Sequence, residues 1–325
     1  MFENICGKLN LGKYVNHEQL SGGITNEVYK LTTNISTYIV KIINSDNIKN
    51  NNNLLNKIEL SEYIAELAQN NGVNSVPALK YNNKYIQKID NKYILIYNYL
   101  EGKVLLTKEI TLDNVKQLAI QLAKLHSIKI NKYTNTIKYE KNNYSKYYNL
   151  LENNNEQWAI FYKNNYKKLQ EIYENVYKNY LNLSNQQSYI HKDYNRKNVL
   201  WQNNIPNIID WETATIGNPS IDFFNSAWFL TADVNIDKYT TFCKEYFNIF
   251  ELQDDINVSA HASIIEECNW LEYSLKRALA INSKNEKEIE IGKKSIIPSL
   301  TEIINYYEKI PLMIEIIDKV KKEIL

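Results

Sequence analysis

Residues 188–212 hold polar side chains whose types and spacing fit the needs of phosphoryl transfer. Asp193 can accept the proton of an attacking hydroxyl group, and Asn198 can offer a neutral oxygen to Mg²⁺. Asp210 can offer a carboxylate that bridges the metal to nucleotide phosphates. Such a reaction needs positioning and charge neutralisation more than covalent help from the protein. The stretch therefore predicts a catalytic site.

The spacing of these residues is the main evidence for a catalytic site. The order His191-x-Asp193-x-x-x-x-Asn198 is the pattern of a kinase catalytic loop, with a metal-binding aspartate on a later strand. Apolar residues follow Asn198, residues 202–207 contain turn-forming Asn and Pro, and a short apolar strand then ends at Asp210. The predicted hairpin brings Asn198 and Asp210 to the same end. The alternative is that these side chains only close a loop and cap a helix.

A glycine-containing loop lies upstream, in residues 20–31. Gly22 and Gly23 would let backbone N–H groups approach phosphates closely, and Thr25 and Asn26 add polar side chains. Two glycines before a strand also occur in simple turns, so this motif alone indicates little.

The strand predicted over residues 37–43 carries Lys41 on the same face as Ile39 and Ile43. A lysine on an apolar face needs a partner for its charge. An exposed edge strand is the alternative, but the position of Lys41 before the 188–212 stretch favours a phosphate-binding role.

The partner of Lys41 is expected on the next helix, over about residues 54–70, where an apolar stripe recurs at helical spacing. Glu59 is preferred because it lies early in this helix at the edge of the stripe. Glu62 is the rival, and Glu66 is expected to face solvent.

Together, these segments resemble the aminoglycoside phosphotransferase and choline kinase superfamily, the small-molecule branch of the protein-kinase fold. The resemblance covers most of residues 20–128 and 188–230, in the family's order. Its matching segments are GGITNEVYKL, YIVKI, YILIYNYLEG, LAIQLAKLHSI, YIHKDYNRKNVLW and IIDWETATIGNPSIDF.

The resemblance implies roles for individual residues. Asp193 would be the catalytic base in a loop with His191, and Asn198 and Asp210 would bind Mg²⁺. Lys41 would contact the phosphates of ATP or GTP and pair with Glu59. The backbone of Asn98 and Tyr99 would meet the nucleotide base, with Tyr97 behind it, and Asp222 would be a buried carboxylate bracing the catalytic loop.

The implied fold class is α+β, a protein-kinase-like fold of two lobes. Residues 1–97 would form an antiparallel sheet lobe with one helix. Residues 98–325 would form a mainly helical lobe, with a helical insertion over about 130–185.

One residue departs from the family pattern. The family usually has glycine between the histidine and the aspartate of the catalytic loop, and this chain has Lys192. A protein kinase is not predicted, because the segment between Asp210 and Asp222 is too short to present a peptide and contains no Ala-Pro-Glu. The predicted acceptor is a hydroxyl group of a small molecule.

Acidic and aromatic residues are the candidates for acceptor binding, because carboxylates attract amines and aromatic faces attract quaternary ammonium groups. They predict a cationic acceptor. The candidates are Trp211, Glu212, Glu266, Glu267, Trp270 and Glu272. The alternative for the last four is an amphipathic helix with solvated acids.

Composition excludes several other classes of protein. The net charge of +1 gives no indication of nucleic-acid or membrane binding, and no apolar run is long enough to span a bilayer. Three widely spaced cysteines form no metal pattern and fit a reducing compartment. A cytoplasmic enzyme, monomeric or weakly dimeric, is expected.

Three functions stay open at this point. The first is a Mg²⁺- and nucleotide-dependent kinase of an antibiotic such as an aminoglycoside, with a role in resistance. The second is a metabolic kinase acting on choline, ethanolamine or a sugar. The third is a nucleotide-binding pseudoenzyme that serves as a scaffold.

Overall fold

The computed structural model describes residues 1–20, 26–44, 48, 53–131, 137–281 and 285–324. The chain divides into two compact units, and the first is discontinuous in sequence. It comprises Met1–Tyr133 and Tyr189–Ile216, whereas the second comprises Thr134–Ser188 and Gly217–Leu325. The predicted lobe boundary after residue 97 is a different division and stays a prediction.

The first unit is built on an antiparallel sheet with the strand order β1-β2-β3-β5-β4. Its strands are β1 (Tyr14–Gln19), β2 (Glu27–Thr33), β3 (Thr37–Ile42), β4 (Gln87–Ile89) and β5 (Lys92–Asn98). Its helices are α1 (Phe2–Lys8), α2 (Leu54–Asn70) and α3 (Leu112–Ser127). Helix α3 is capped by Thr111, whose side chain accepts a hydrogen bond from the backbone N–H of Asn114.

The two faces of this sheet pack on different helices, because successive side chains of a strand point to opposite sides. Val40 and Ile42 of β3 belong to the core that includes Phe2 and Ile5 of α1. Leu95 of β5, which lies opposite Lys41 in the sheet register, belongs to the core on the α2 side. Lys41 therefore shares the α2 face.

A short hairpin follows the predicted catalytic loop, as the sequence predicts. Its strands β7 (Val199–Gln202) and β8 (Ile205–Ile208) are antiparallel. The turn between them is tighter than the predicted 202–207, because Asn203 and Asn204 both adopt positive φ, at 52° and 61°. Such a two-residue turn matches the twist of the flanking strands and favours asparagine. β6 (Ser188–Ile190) and β9 (Thr215–Gly217) form another two-stranded sheet.

The second unit is mainly helical over its described residues. Its helices are α4 (Tyr144–Leu150), α5 (Gln157–Leu181), α6 (Pro219–Leu230), α7 (Ile236–Phe247), α8 (Ile256–Ser263), α9 (Ile265–Ala278) and α10 (Glu286–Ile324). These helices agree with the predicted mainly helical lobe, and the predicted insertion over about 130–185 stays a prediction. Helix α6 is almost completely buried because most of its residues are apolar.

Tyrosine hydroxyl groups of α5 hold the segment that precedes α4. The hydroxyl oxygens of Tyr180 and Tyr173 accept hydrogen bonds from the backbone N–H groups of Tyr139 and Asn142, at 3.0 and 2.6 Å. Buried backbone groups outside regular structure need such partners, so the abundant tyrosines have a structural use here. In the part of the chain that the structure describes, no helix is long and apolar enough to cross a membrane.

Candidate active site

Lys41 joins the sheet of the first unit to the segment after β8. Its Nζ lies 2.8 Å from Asp210 Oδ1 and 2.6 Å from Glu212 Oε2. The side chain of Asn26 donates a further hydrogen bond to the same oxygen of Glu212, at 3.0 Å. Burial alone would lower the pKa of Lys41, but attraction to Asp210 and Glu212 outweighs it and raises that pKa well above its ordinary value. Lys41 is therefore a fixed positive charge.

The predicted pair of Lys41 with Glu59 is wrong. Glu59 accepts hydrogen bonds from the backbone N–H groups of Tyr85 and Ile86, at 3.3 and 2.9 Å. The carboxylate that lies towards Lys41 on this helix is Glu62, which is fully buried and whose ionised form Lys41 stabilises electrostatically.

Two groups donate hydrogen bonds to the carboxylate of Glu62. The hydroxyl of Tyr97 donates to Oε1 and the backbone N–H of Ala78 donates to Oε2, both at 2.7 Å. Burial raises the pKa of Glu62 from 4.5 to about 7, although both hydrogen bonds and Lys41 oppose that rise. Glu62 thus titrates near neutral pH.

We expect Glu62 to make the stability of the protein depend on pH. With a folded pKa of about 7 and an ordinary value of 4.5, the folded protein holds a proton that the unfolded chain has released, so stability falls as pH rises through this window. The shift corresponds to about 3 kcal/mol. Urea unfolding of wild type and Glu62→Gln should show that the variant gains roughly this amount relative to wild type between pH 5 and pH 8.

Glu66→Gln is the matched control on the same helix. Lys80 lowers the pKa of Glu66 below 4.5, so its titration lies outside this window. Its difference from wild type should be the same at both pH values. A pH-independent difference for Glu62→Gln would contradict the titration of Glu62.

The carboxylate of Asp193 is held by three neighbours from its own loop. Asn198 donates to Oδ2 at 2.8 Å, Asn195 donates to Oδ1, and Lys197 Nζ lies 3.2 Å from Oδ2. These contacts fix the orientation of the carboxylate within the loop. Asp193 is one-third exposed, so an acceptor can reach it.

The ring of His191 forms hydrogen bonds with backbone groups in and near this loop. Its side chain is fully buried and its Nδ1 accepts a hydrogen bond from the backbone N–H of Asp193, at 3.3 Å. Its Nε2 lies 3.2 Å from the carbonyl oxygen of Ile209, where a protonated Nε2 donates. The structure places His191 as a positioning residue.

The backbone conformation of Lys192 accounts for the glycine that the family usually has at this position. Its φ is 68°, in the left-handed region where a side chain is strained and glycine is not. The catalytic loop keeps this conformation with a lysine present.

Asp210 also adopts the left-handed conformation, with φ 61° and ψ 56°. Burial would raise its pKa, but Lys41 and the neighbouring His191 and Lys197 outweigh burial and lower it. The carboxylate is therefore ionised, as a metal ligand must be. The backbone N–H of Ile209 donates to the carbonyl oxygen of Asn198 at 3.0 Å, so the two predicted metal ligands lie at the same end of the hairpin.

The donor set fits Mg²⁺. Lys41 lies among three acidic side chains, Glu62, Asp210 and Glu212, so a divalent cation would offset the excess negative charge. Among the described residues no three His, Cys, Asp or Glu side chains gather as a complete metal site. Mg²⁺ does not need one, because it is usually held by one or two carboxylates, water and substrate phosphates.

The predicted nucleotide-binding residues are only partly described. Gly22, Gly23 and Thr25 lie outside the described residues. The hydroxyl of Tyr97 is bound to Glu62, and the backbone N–H of Tyr99 donates to the carbonyl oxygen of Thr37 at 3.2 Å. The predicted contacts of Asn98 and Tyr99 with a nucleotide base stay predictions.

The structure corrects two of the predicted acceptor-binding residues. Trp211 is 1% exposed and its Nε1 donates to the carbonyl oxygen of Ile208, so it is a core residue. Glu212 binds Lys41 instead. The reason is the left-handed turn at Asp210, after which the Trp211 side chain is buried.

The other predicted acceptor-binding residues lie on α9 of the second unit. Glu266 accepts a hydrogen bond from the hydroxyl of Tyr139. Glu272 accepts from Tyr147 and pairs with Lys276, both at 2.9 Å. Trp270 is 41% exposed, which an aromatic contact with a ligand requires.

Glu267 is half-buried on the same helix as Trp270. Asp222 of α6 is 3% exposed, as expected for a structural carboxylate, and its contact with the catalytic loop stays a prediction.

Lys197 is the site residue that the sequence analysis missed. It lies four residues after Asp193, and a short 3-10 helix over Arg196–Asn198 turns it back towards that carboxylate. The spacing of four between an acid and a lysine was the available signal.

Comparison with known protein families shows one match. The model of the phosphotransferase enzyme family matches residues 16–253, which include both the sheet of the first unit and the catalytic loop. The comparison with curated protein sequences found no match.

Several solved structures are similar to this chain. One is spectinomycin phosphotransferase APH(9)-Ia in complex with ADP and spectinomycin, with 15% identity, a TM-score of 0.64, and coverage of 92% of this chain and 96% of that chain. Another is choline kinase LicA from Streptococcus pneumoniae, with 19% identity, a TM-score of 0.60, and coverage of 92% and 98%. An ethanolamine kinase from Plasmodium vivax has 17% identity, a TM-score of 0.57, and coverage of 90% and 82%. These similarities confirm the predicted kinase-like α+β fold.

Proposed function

Because this chain belongs to the phosphotransferase enzyme family, we propose that it transfers the terminal phosphoryl group of a nucleoside triphosphate to a hydroxyl group of a small molecule. The observation that carries the proposal is the arrangement around Lys41 in the first unit. Lys41 contacts Asp210 directly, and Asp210 lies after the hairpin that Asn198 precedes. Asn198 in turn donates to Asp193.

Each of these groups has a role in the transfer. Asp193 accepts the proton of the acceptor hydroxyl. Lys41 neutralises charge on the nucleotide phosphates. Asn198 and Asp210 would hold Mg²⁺, which when bound supplies electrostatic stabilisation of the phosphate oxygens. ATP and GTP are both candidate donors.

We further propose that the acceptor is cationic. The similar structures include kinases named for choline, ethanolamine and spectinomycin, and each of these compounds carries a basic or quaternary nitrogen. On α9, Glu266 and Glu267 precede the exposed Trp270 and Glu272 follows it, which is a combination that attracts such nitrogens.

A phosphate-transfer screen tests the proposed function. The full chain would be incubated with Mg²⁺ and either ATP or GTP, together with aminoglycosides, spectinomycin, macrolides, choline, ethanolamine or neutral sugars. Formation of a phosphorylated acceptor, detected by mass spectrometry, supports the proposal. An antibiotic product would favour a role in resistance, whereas choline, ethanolamine or sugar would favour a metabolic kinase. Nucleotide binding without transfer to any acceptor would favour a pseudoenzyme.

We expect charge reversal at Glu267 to weaken acceptor binding. Glu267→Lys should raise the KM for a cationic acceptor about tenfold, which corresponds to about 1.4 kcal/mol, because attraction to the nitrogen becomes repulsion. The KM for the nucleotide should stay unchanged. Steady-state kinetics with each substrate varied in turn measures both quantities.

Glu171→Lys is the matched control, because Glu171 is an exposed residue of α5 and the change in charge is the same. Glu272→Lys is the second test, and this reversal also breaks the ion pair of Glu272 with Lys276. Efficient use of a neutral sugar, unaffected by both reversals, would refute a cationic acceptor and leave the kinase assignment in place.

A further inference from the structure

Lys197 brings a positive charge to the carboxylate that is predicted to take the acceptor's proton. Its Nζ lies 3.2 Å from Asp193 Oδ2. It also contributes electrostatically to the low pKa of Asp210. One ammonium group therefore acts on both the predicted base and the predicted metal ligand.

The backbone of Lys197 is fixed although its side chain is 64% exposed. The side chain of Asn195 accepts a hydrogen bond from the backbone N–H of Lys197 at 3.0 Å and donates another to Asp193. The base and the lysine are thus held in one short turn. An exposed ion pair contributes little to stability, so the ammonium group can exchange Asp193 for another partner at small cost.

We propose that Lys197 is a further catalytic residue, whose ammonium group leaves Asp193 and contacts the transferred phosphoryl group. The proposal rests on the proposed function. A catalytic base must come within about 3 Å of the hydroxyl whose proton it takes. That hydroxyl oxygen attacks the terminal phosphorus, so a cation that already touches the base lies within side-chain reach of the phosphoryl oxygens.

The chemical step balances with Lys197 unchanged. The acceptor oxygen forms a bond to the terminal phosphorus, and the bond from that phosphorus to the bridging oxygen breaks. The nucleoside diphosphate leaves with the electron pair, and the hydroxyl proton passes to Asp193. Lys197 stays protonated throughout and donates hydrogen bonds to the equatorial phosphoryl oxygens, where charge is spread in the transition state.

The first test compares Lys197→Gln and Lys197→Arg with wild type in the phosphate-transfer assay. Lys197→Gln should lower kcat about 10- to 100-fold, less than a buried oxyanion donor would because the site is partly solvated. The KM for the nucleotide should change less than threefold, and Lys197→Arg should recover most of the activity. The matched control is Lys319→Gln, which removes another exposed lysine paired with an acid four residues away.

The second test measures binding and does not depend on the acceptor. Mg·ADP mimics the product, and Mg·ADP with aluminium fluoride mimics the phosphoryl group in transfer. Calorimetry should show that Lys197→Gln binds Mg·ADP as wild type does and binds the aluminium fluoride complex at least about tenfold more weakly.

The two tests separate failure of the role of Lys197 from failure of the proposed function. A kcat for Lys197→Gln within threefold of wild type would overturn the role of Lys197. A lower kcat with unchanged aluminium fluoride affinity would also overturn it, because the lysine would then act only through Asp193. If wild-type protein shows neither transfer nor nucleotide hydrolysis, the proposed function itself fails.

Discussion

Replacing Asp193 with asparagine is expected to lower kcat by ~10²–10⁴, the usual range for loss of a general base. The amide keeps the shape of the side chain but cannot accept the proton of the acceptor hydroxyl. Nucleotide affinity should change little, because the direct contacts of Asp193 are with its own loop and not with Lys41. Turnover and nucleotide binding, measured on the same preparation, check both statements.

Asp113→Asn supplies the control for Asp193→Asn, since Asp113 is an exposed residue in the first turn of α3. It should be as active as wild type. If Asp193→Asn retained activity within a few-fold of wild type, Asp193 would not be the base.

Replacing Asp210 with alanine is expected to abolish Mg²⁺-dependent nucleotide binding. The carboxylate of Asp210 contacts Lys41. It also lies at the same end of the hairpin as Asn198, the other predicted metal ligand. The site then has one negative charge fewer to attract a divalent cation. The carboxylate that would hold the metal beside the phosphates is also missing. Calorimetric titration with a non-hydrolysable ATP analogue, in Mg²⁺ and in chelator, measures the effect. Wild type should bind more tightly in Mg²⁺, and Asp210→Ala should bind equally weakly in both.

Asn198→Ala provides a graded comparison for Asp210→Ala. It removes a neutral oxygen, so Mg²⁺-dependent binding should weaken without being lost. Lys41 keeps Glu212 as a partner in Asp210→Ala, and a thermal melt should therefore show a folded protein. Normal Mg·ATP binding by Asp210→Ala would rule out the assigned metal site.

The catalytic loop was predictable because its determinants are local. The spacing from His191 to Asn198 and the apolar strands on either side of Asn203–Asn204 specify the loop and the hairpin without distant contacts. The burial of Lys41 was predictable for a similar reason, since strand alternation decides which face a side chain occupies.

The partners of Lys41 were not predictable in the same way. Glu59 and Glu62 are three residues apart and lie on nearly the same side of α2. Which one turns towards Lys41 depends on how the helix packs, and Tyr85 and Ile86 capture Glu59. The direction of Glu212 follows the left-handed backbone at Asp210. Aspartate adopts this conformation more often than most residues do, but its presence alone does not identify which aspartate of a chain does so.

The acceptor site was the least predictable part. The surroundings of the proposed acceptor-binding residues depend on contacts between segments far apart in sequence, and neither hydrophobic periodicity nor residue spacing reports which segments meet. Tyr139 illustrates this, because its contact with Glu266 joins residues 127 positions apart.

The discontinuity of the first unit has a consequence for protein synthesis. Lys41, which is 12% exposed, is made early, whereas its partners Asp210 and Glu212 belong to the returning segment Tyr189–Ile216. A nascent chain that ends at residue 133 contains Glu62 but neither Asp210 nor Glu212, so Lys41 lacks both of its ion-pair partners. The amino-terminal sheet is therefore expected to reach its final stability only after the ribosome has passed residue 216, so that assembly of the catalytic centre and completion of the sheet's folding are one late event.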